Sequence, residues 1–505
     1  MAVKAPSVED VARIGRVLGL NLSAPDAESF CRLLRPSFAA LNRLDELVEP
    51  TLPVKYPRDG GWRPSPEDNP LNAWYWCCEI KGAPEGPLQG KTFAIKDNIC
   101  VASIPMMNGT RLLEGFVPNI DATVVTRILD AGGTIKGKAV CESLCASGGS
   151  HTSDNGPVRN PHDPRRTTGG SSSGSGALVA ARQVDMTIGG DQGGSIRVPS
   201  AWCGIYGLKP TYGLVPYTGA FPIELTIDHL GPMARSSADC ALLLEVIAGP
   251  DGLDPRQQAN LSTAQYTKAL TGNVKDLRLA IVQEGFGLPG SEKDVDEGVI
   301  GAAHRFETIG ARMTSVSIPW HRDGAAFFPG LSEGVLATMI TGSGLGTNWN
   351  GYYATGMLDA FARGLHTQPD DLSETVKWMA IQGFYLRERY HGHYYAKTQN
   401  LRRSLKAAYD AVLRDHDLLV MPTVGIKAPL LPTPGCSREA YMHAALGLGA
   451  LMNTAQFDFT GHPAINVPCG KSEGLPIGMM LVGKIGDDAM VLRAADAWQR
   501  EFGEG

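Results

Sequence analysis

Residues 169–211, "GGSSSGSGALVAARQVDMTIGGDQGGSIRVPSAWCGIYGLKPT", decide how the rest of the chain is read. The opening glycines and serines have the composition of a flexible linker. Three glycine-rich motifs fail on them. Gly169 and Gly174 have P-loop spacing, but Ser175 stands where the phosphate-binding lysine is required. Gly174 and Gly176 are followed by Val179 rather than by the third glycine of a dinucleotide fingerprint. Ser172 centres a G-x-S-x-G match, yet "NPHDPRRTT" before it is a polar turn and not the buried strand of a nucleophile elbow. What remains is a second Gly-Gly-Ser, Gly193-Gly194-Ser195, after the apolar run "VDMTI". Successive glycines let backbone N–H groups converge on an oxyanion, and a serine closing such a turn can attack a carbonyl held there.

A nucleophilic serine needs a base, and residues 169–216 contain no histidine. The candidate is Lys96 in "FAIKDNI", where Phe93-Ala94-Ile95 can carry an ammonium into a buried place. Burial lowers a lysine from its ordinary ~10.4 towards neutrality and makes it a base. Taken singly, a lysine ending a strand is usually a solvated charge, and a serine after two glycines usually caps a turn. Asp191 and Arg197 flank Ser195. A salt bridge bracing the loop is the favoured reading, with Arg197 as an anchor for a substrate carboxylate the alternative.

Working outward, residues 1–48 read as helices. Ser7 with Asp10 resembles a helix cap, a second helix is expected from near Pro25 to before Pro36, and a third carries Phe38, Leu41, Leu44 and Val48 on one face. Prolines 50, 53, 57, 64, 66 and 70 predict an extended tether, so residues 1–70 form a helical N-terminal unit with a proline-rich connection. From about residue 88, short apolar strands ("KTFAIKD", "TIKGKAV", "LRLAIVQ", "MTSVSIP", "DLLVMPT") alternate with helices, which predicts an α/β body around a buried sheet. Residues 325–415 lack strand texture and are expected to be a mainly helical insertion, glycine-rich at "TGSGLGTNWNG", between body segments 71–324 and 416–505.

Bulk properties exclude several classes. With 46 Lys+Arg against 52 Asp+Glu and no basic block, a nucleic-acid-coating surface has no support. No apolar run approaches the ~18 residues of a membrane span, and the N-terminus lacks a signal-peptide core, so a cytoplasmic protein is expected. The ten cysteines show no C-x-x-C pair or zinc-ligand spacing and read as small buried hydrophobes in a reducing compartment. His391 and His393 in "YHGHYY" lack a third ligand. Neither a metal nor a cofactor is expected.

The 43-residue block, together with "GKTFAIKDNI", "GKAVCESLCASGG", "GPVRNP", "DHLGPMARS", "DLLVMPT", "FTGHPAINVP" and "GLPIGMMLVG" in the same order, resembles the amidase signature family of serine hydrolases from about residue 88 onward. The resemblance implies a large twisted mixed β-sheet covered by α-helices. It implies a triad of Ser195 as nucleophile, Ser171 as bridging serine after a cis Gly170–Ser171 bond, and Lys96 as base. It places the oxyanion hole at the backbone N–H groups of Gln192, Gly193, Gly194 and Ser195. Cys145, Ala146, Ser147 and the helical stretch near Leu451 match the acyl pocket, and the Gln192 side chain is placed to touch substrate or simply to pack. The sequence departs from the family at Gln192, where threonine or a smaller residue is common, and at Ser173, where glycine is.

The implied reaction is hydrolysis of small carboxylic amides to acid and ammonia, with the amide and water as the expected small-molecule partners and neither nucleic acid nor membrane. The N-terminal extension, "NPLNAWYW" and "PMMNGT" resemble bacterial aliphatic and aryl amidases of nitrile metabolism, which implies a homodimer. The same triad serves a carbamate, hydrazide or anilide hydrolase equally well. Other readings are the glutaminase component of a tRNA-dependent amidotransferase and an α/β-hydrolase with a histidine base.

Overall fold

The computed structural model describes residues 3–258, 262–345, 350–446 and 450–503. The chain divides into two compact units, residues 1–53 and 54–505. In the first, helix α1 (Val8–Val17) starts at Ser7, whose side chain and that of Asp10 form a reciprocal capping box. Helix α2 (Ala24–Asp45) repeats the device with Ser23 and Asp26. Val11, Ala27 and Cys31 form the small core between them. The expected break at Pro36 does not occur: α2 runs through it as one helix of 22 residues. A proline inside a helix costs ~3 kcal/mol. Here the capping box fixes the start, and the good helix formers of "SFAALNRL" continue it beyond the ring.

The stretch expected to be a tether up to residue 70 belongs with the second unit from Val54 onward. Arg58 makes a buried two-pronged ion pair with Asp121 (2.7 and 2.9 Å), and Trp62 bridges Cys77. Prolines here set an extended path over a packed surface rather than a free connection.

The second unit is built on an 11-stranded mixed sheet. Its strands are β1 (Trp74–Lys81), β2 (Thr92–Lys96), β3 (Thr134–Ala139), β4 (Met186–Asp191), β5 (Tyr206–Lys209), β6 (His229–Ala234), β7 (Arg278–Val282), β8 (Arg312–Val316), β9 (Leu418–Pro422), β10 (Ala464–Ser472) and β11 (Leu475–Val482). Their order is β1-β3-β2-β4-β6-β5-β10-β11-β9-β7-β8. Parallel pairing joins β2 to β3 and β4, and β7 to β8 and β9; the remaining pairs are antiparallel. Every residue of β4 and β11 is buried, as expected of strands covered on both faces. Helix α3 (Thr123–Asp130) packs Val124, Val125, Ile128 and Leu129 into that core. Residues 325–415 carry helices Phe327–Val335, Thr355–Thr367, Glu374–Tyr390 and His393–Asp415, and no strand among the described residues. Within "TGSGLGTNWNG", residues 346–349 lie outside the described residues.

Candidate active site

Strands β2 and β4 run parallel side by side, with Phe93 opposite Met186 and Ile95 opposite Ile188. Their C-terminal ends therefore meet at one edge of the sheet, where open α/β sheets place their chemistry. Strand β2 delivers Lys96 there, and β4 delivers Asp191 and the turn that follows. Lys96 is fully buried, and its Nζ donates to Ser171 Oγ (2.8 Å) and Gly190 O (3.2 Å). The adjacent carboxylate, Asp97, is turned elsewhere. It pairs with buried Lys138 at 2.9 Å and accepts the N–H groups of Met107 and Asn108.

The glycine-serine stretch is fixed by hydrogen bonds. The Gly170–Ser171 peptide bond is cis. Gly170 N donates to Gly148 O (2.9 Å), Glu142 N donates to Ser171 O (3.1 Å), and Ser172 N donates to Ser195 O (3.3 Å). Ser172 Oγ both donates to Gly190 O and accepts from Gly190 N, at 3.2 Å each. A Cβ at Gly170 would collide with Gly149 O. Small residues are required because backbones meet here, and they lead directly into buried helix α4 (Ser173–Ala180).

The turn after β4 hangs on Asp191. Its Oδ1 accepts Gly194 N (2.5 Å) and its Oδ2 accepts Ile196 N (3.0 Å), while the Arg197 guanidinium grips both oxygens at 3.0 Å. Arg197 opens helix α5 (Arg197–Cys203), is fully buried, and also donates to Thr454 O and to Asp458 Oδ2 (both 2.8 Å). It is thus a brace for the loop, with no donor turned towards a substrate carboxylate. Burial alone would raise the Asp191 carboxyl, but Arg197 and the N–H donors hold it well below the usual carboxylate range. Asp458 moves the other way: burial, then the charge of Asp191, push it well above that range. Burial also brings Lys209, behind this cluster, down to about 8.

Ser195 opens onto a cavity of about 260 Å³. Cys145, Ala146, Ser147, Gln192 and Leu451 all line it. Ser147 Oγ is committed to Ala445 O (2.9 Å), and Gln192 Nε2 donates to Tyr217 Oη (3.2 Å). The N–H groups of Gln192, Gly193 and Ser195 have no acceptor among the described residues. Gly194 differs from expectation, because its N–H is already taken by Asp191. Thr454 Oγ1 donates to Gly193 O (2.5 Å) and orients the preceding peptide. Sequence reasoning missed most of the remaining wall: Ile223, Ile227, Phe328, Leu331 and Trp378, single apolar residues from three separate segments with no motif around them. It also missed Asp458 and Thr454. Among the described residues, no group of three His, Cys, Asp or Glu side chains could hold a metal ion.

Set against known proteins, residues 65–492 match the family model described as Amidase. The chain belongs to the amidase signature family. It is 44% identical over 496 residues to an enantioselective amidase of Rhodococcus rhodochrous, covering 97% of this chain and 95% of that one. It is 37% identical over 422 residues to one component of the glutamyl-tRNA(Gln) amidotransferase of Methanosarcina acetivorans, covering 82% of this chain and 85% of that one. A solved bacterial aryl acylamidase of the amidase signature family superposes with a TM-score of 0.72 over 100% of this chain and 98% of its own, at 21% identity, which establishes the shared fold. The mixed α/β architecture is therefore that of this family, and the protein is a hydrolase acting on amide C–N bonds.

Proposed function

We propose that this amidase cleaves small carboxylic amides with an apolar acyl group, through an acyl-enzyme on Ser195. The observation that carries the reading is the 2.8 Å hydrogen bond from buried Lys96 to Ser171, beside a serine that faces a cavity. With Lys96 neutral and its lone pair turned to Ser171, Ser195 passes its proton to Ser171 Oγ as it attacks the carbonyl carbon, and the Ser171 proton passes to Lys96 Nζ. The N–H groups of Gln192, Gly193 and Ser195 hold the oxyanion. The relay then runs backwards, protonates the leaving nitrogen and releases ammonia. Water, deprotonated by the same relay, frees the acid.

Among the described residues no charged side chain lines the cavity; Phe328, Leu331, Val335 and Trp378 favour an aryl or branched alkyl acyl group. This speaks against glutamine, whose charged end would be buried without a partner. The relative from Rhodococcus rhodochrous, an amidase by name, supports the same choice. Carbamates, hydrazides and anilides remain alternatives for the same serine. All ten cysteines are unpaired, which supports a cytoplasmic setting. Exposed Leu18, Phe30, Leu33 and Leu44 in the helical unit support a homodimer. Among the described residues no helix is long and apolar enough to cross a membrane.

The test is acid and ammonia release from propionamide, benzamide, ethyl carbamate, a hydrazide and glutamine, by wild type and Ser195→Ala. Loss of benzamide turnover in the variant supports the reading. Equal turnover by both proteins, or glutamine as the preferred substrate, would overturn it.

A further inference from the structure

The family chemistry uses no cysteine, yet two thiols stand beside the proposed base. Cys141 Sγ and Cys145 Sγ each donate to the same oxygen, Asn108 Oδ1, at 3.5 Å, so one acceptor holds the two thiols together. Two successive left-handed residues, Leu144 (φ 47°) and Cys145 (φ 58°), fold the chain back so that side chains four positions apart meet. Leu144 N to Asn108 O (3.0 Å) and Cys145 N to Glu142 O (2.8 Å) anchor that turn. Cys141 is fully buried, whereas Cys145 lines the cavity with Ser195 and neighbours Lys96 and Ser171. The Asn108 amide nitrogen, fully buried, has no partner among the described residues and is able to donate to an oxygen placed on sulfur.

We propose that Cys145 and Cys141 form a peroxide-responsive dithiol that switches the amidase off. Cys145 is the accessible thiol and Cys141 the resolving one. The Cys145 thiolate attacks the terminal oxygen of hydrogen peroxide or an alkyl hydroperoxide. The O–O bond breaks, sulfur is oxidised to the sulfenic acid, and the peroxide is reduced to water or an alcohol after taking up a proton. The Cys141 thiol then attacks the sulfenyl sulfur, forming the disulfide and releasing water. Burial raises the Cys145 thiol, but the groups around it, Cys141 first, outweigh burial and hold it below its ordinary value, which favours the thiolate. Either product alters the Lys96–Ser171 contact and the cavity wall. Loss of turnover as a signal rests on the triad reading; the sulfur chemistry does not.

The full chain is treated with hydrogen peroxide, then assayed on benzamide and digested with trypsin. Both thiols fall in one peptide, residues 139–159. In the wild type, turnover falls by about tenfold or more, the peptide loses two hydrogens, and dithiothreitol restores both. In Cys141→Ala the peptide instead gains one oxygen, trapped by dimedone at Cys145. Cys145→Ala, scored against its own untreated rate, resists the same dose. The proposal is overturned if the wild-type peptide is unmodified at a dose that abolishes turnover, or if Cys145→Ala is inactivated as fast as wild type. Should untreated wild type hydrolyse no amide, the triad reading fails, and the peptide masses still judge the dithiol.

Discussion

Asp191 and Asp458 both bond the same buried arginine, yet replacing each by asparagine should have opposite consequences. Asp191 is the charged partner. Its two oxygens accept five hydrogen bonds, two from the Arg197 guanidinium and three from the backbone N–H groups of Gly194, Ile196 and Arg197. In Asp191→Asn one oxygen becomes an NH2 that faces donors, and Arg197 loses its counter-charge in a site with no water access. Removing one partner of a buried pair costs about 3–5 kcal/mol. Asp458 is shifted towards its neutral form by burial and by the charge of Asp191, and it accepts one bond from Arg197 at 2.8 Å. In Asp458→Asn a neutral group replaces a neutral group and the amide oxygen keeps that bond, so the cost is about 1 kcal/mol or less. A proton bound by folded Asp458 but released by the unfolded chain makes stability fall as pH rises, and Asp458→Asn removes that slope. Urea unfolding of the three proteins at pH 7, followed by circular dichroism, reads the difference. Asp191→Asn should also lose most benzamide turnover, because Gly193 to Ser195 hang from Asp191. Equal costs, or a costlier Asp458→Asn, would refute this division of charge.

Three further outcomes follow from the geometry. Lys96→Ala should lower kcat on benzamide by about 10²–10⁴ with a smaller change in KM, because it removes the proton acceptor and no wall of the cavity; steady-state kinetics at pH 8 check it. Phe328 packs over Gly193, where a Cβ would collide with its ring, so Gly193→Ala should displace that ring and raise KM for benzamide more than for propionamide. The third concerns His321, whose Nε2 donates to Asn453 Oδ1 (2.9 Å) and whose Nδ1 accepts from Tyr409 Oη (2.6 Å). Burial brings it down to about 4 from an ordinary 6.5, so the unfolded chain takes up a proton before the folded one does. Stability present above pH 6.5 is lost as pH falls towards 4, by about 3 kcal/mol in all. His321→Gln should flatten that part of the urea midpoint against pH.

Much of this was legible in the sequence because local chemistry and tertiary role coincide. The glycines and serines of 169–176 look like a linker only to a compositional reading; their order with Lys96 and Ser195 marks a place where backbones must touch. The strand "KTFAIKD" announces itself by its apolar run, and the lysine at its end is where the sheet edge turns into the site. Pro36 misled because a proline's local cost is real but is outweighed by a well-capped helix around it. The prolines between 54 and 70 misled for the complementary reason. An extended segment and a free tether have the same composition, and contacts such as the Arg58–Asp121 pair and the Trp62–Cys77 bridge tell them apart.

What stayed invisible has one physical character: contacts made across long separations by residues ordinary in their own neighbourhoods. Asp458 lies 261 positions from Arg197 and Phe328 far from Ser195, and neither sits in a stretch with a signal. The same distinction separates the two halves of the oxyanion turn. A pair of glycines before a serine announces N–H groups free to converge, but which of them is free depends on what the preceding carboxylate grips. Asp191 takes Gly194, which leaves Gln192, Gly193 and Ser195 as the donors in the proposed oxyanion hole. An Asp191→Asn variant that kept full turnover would show that the turn holds its shape without that grip, and the assignment of donors would have to be drawn again.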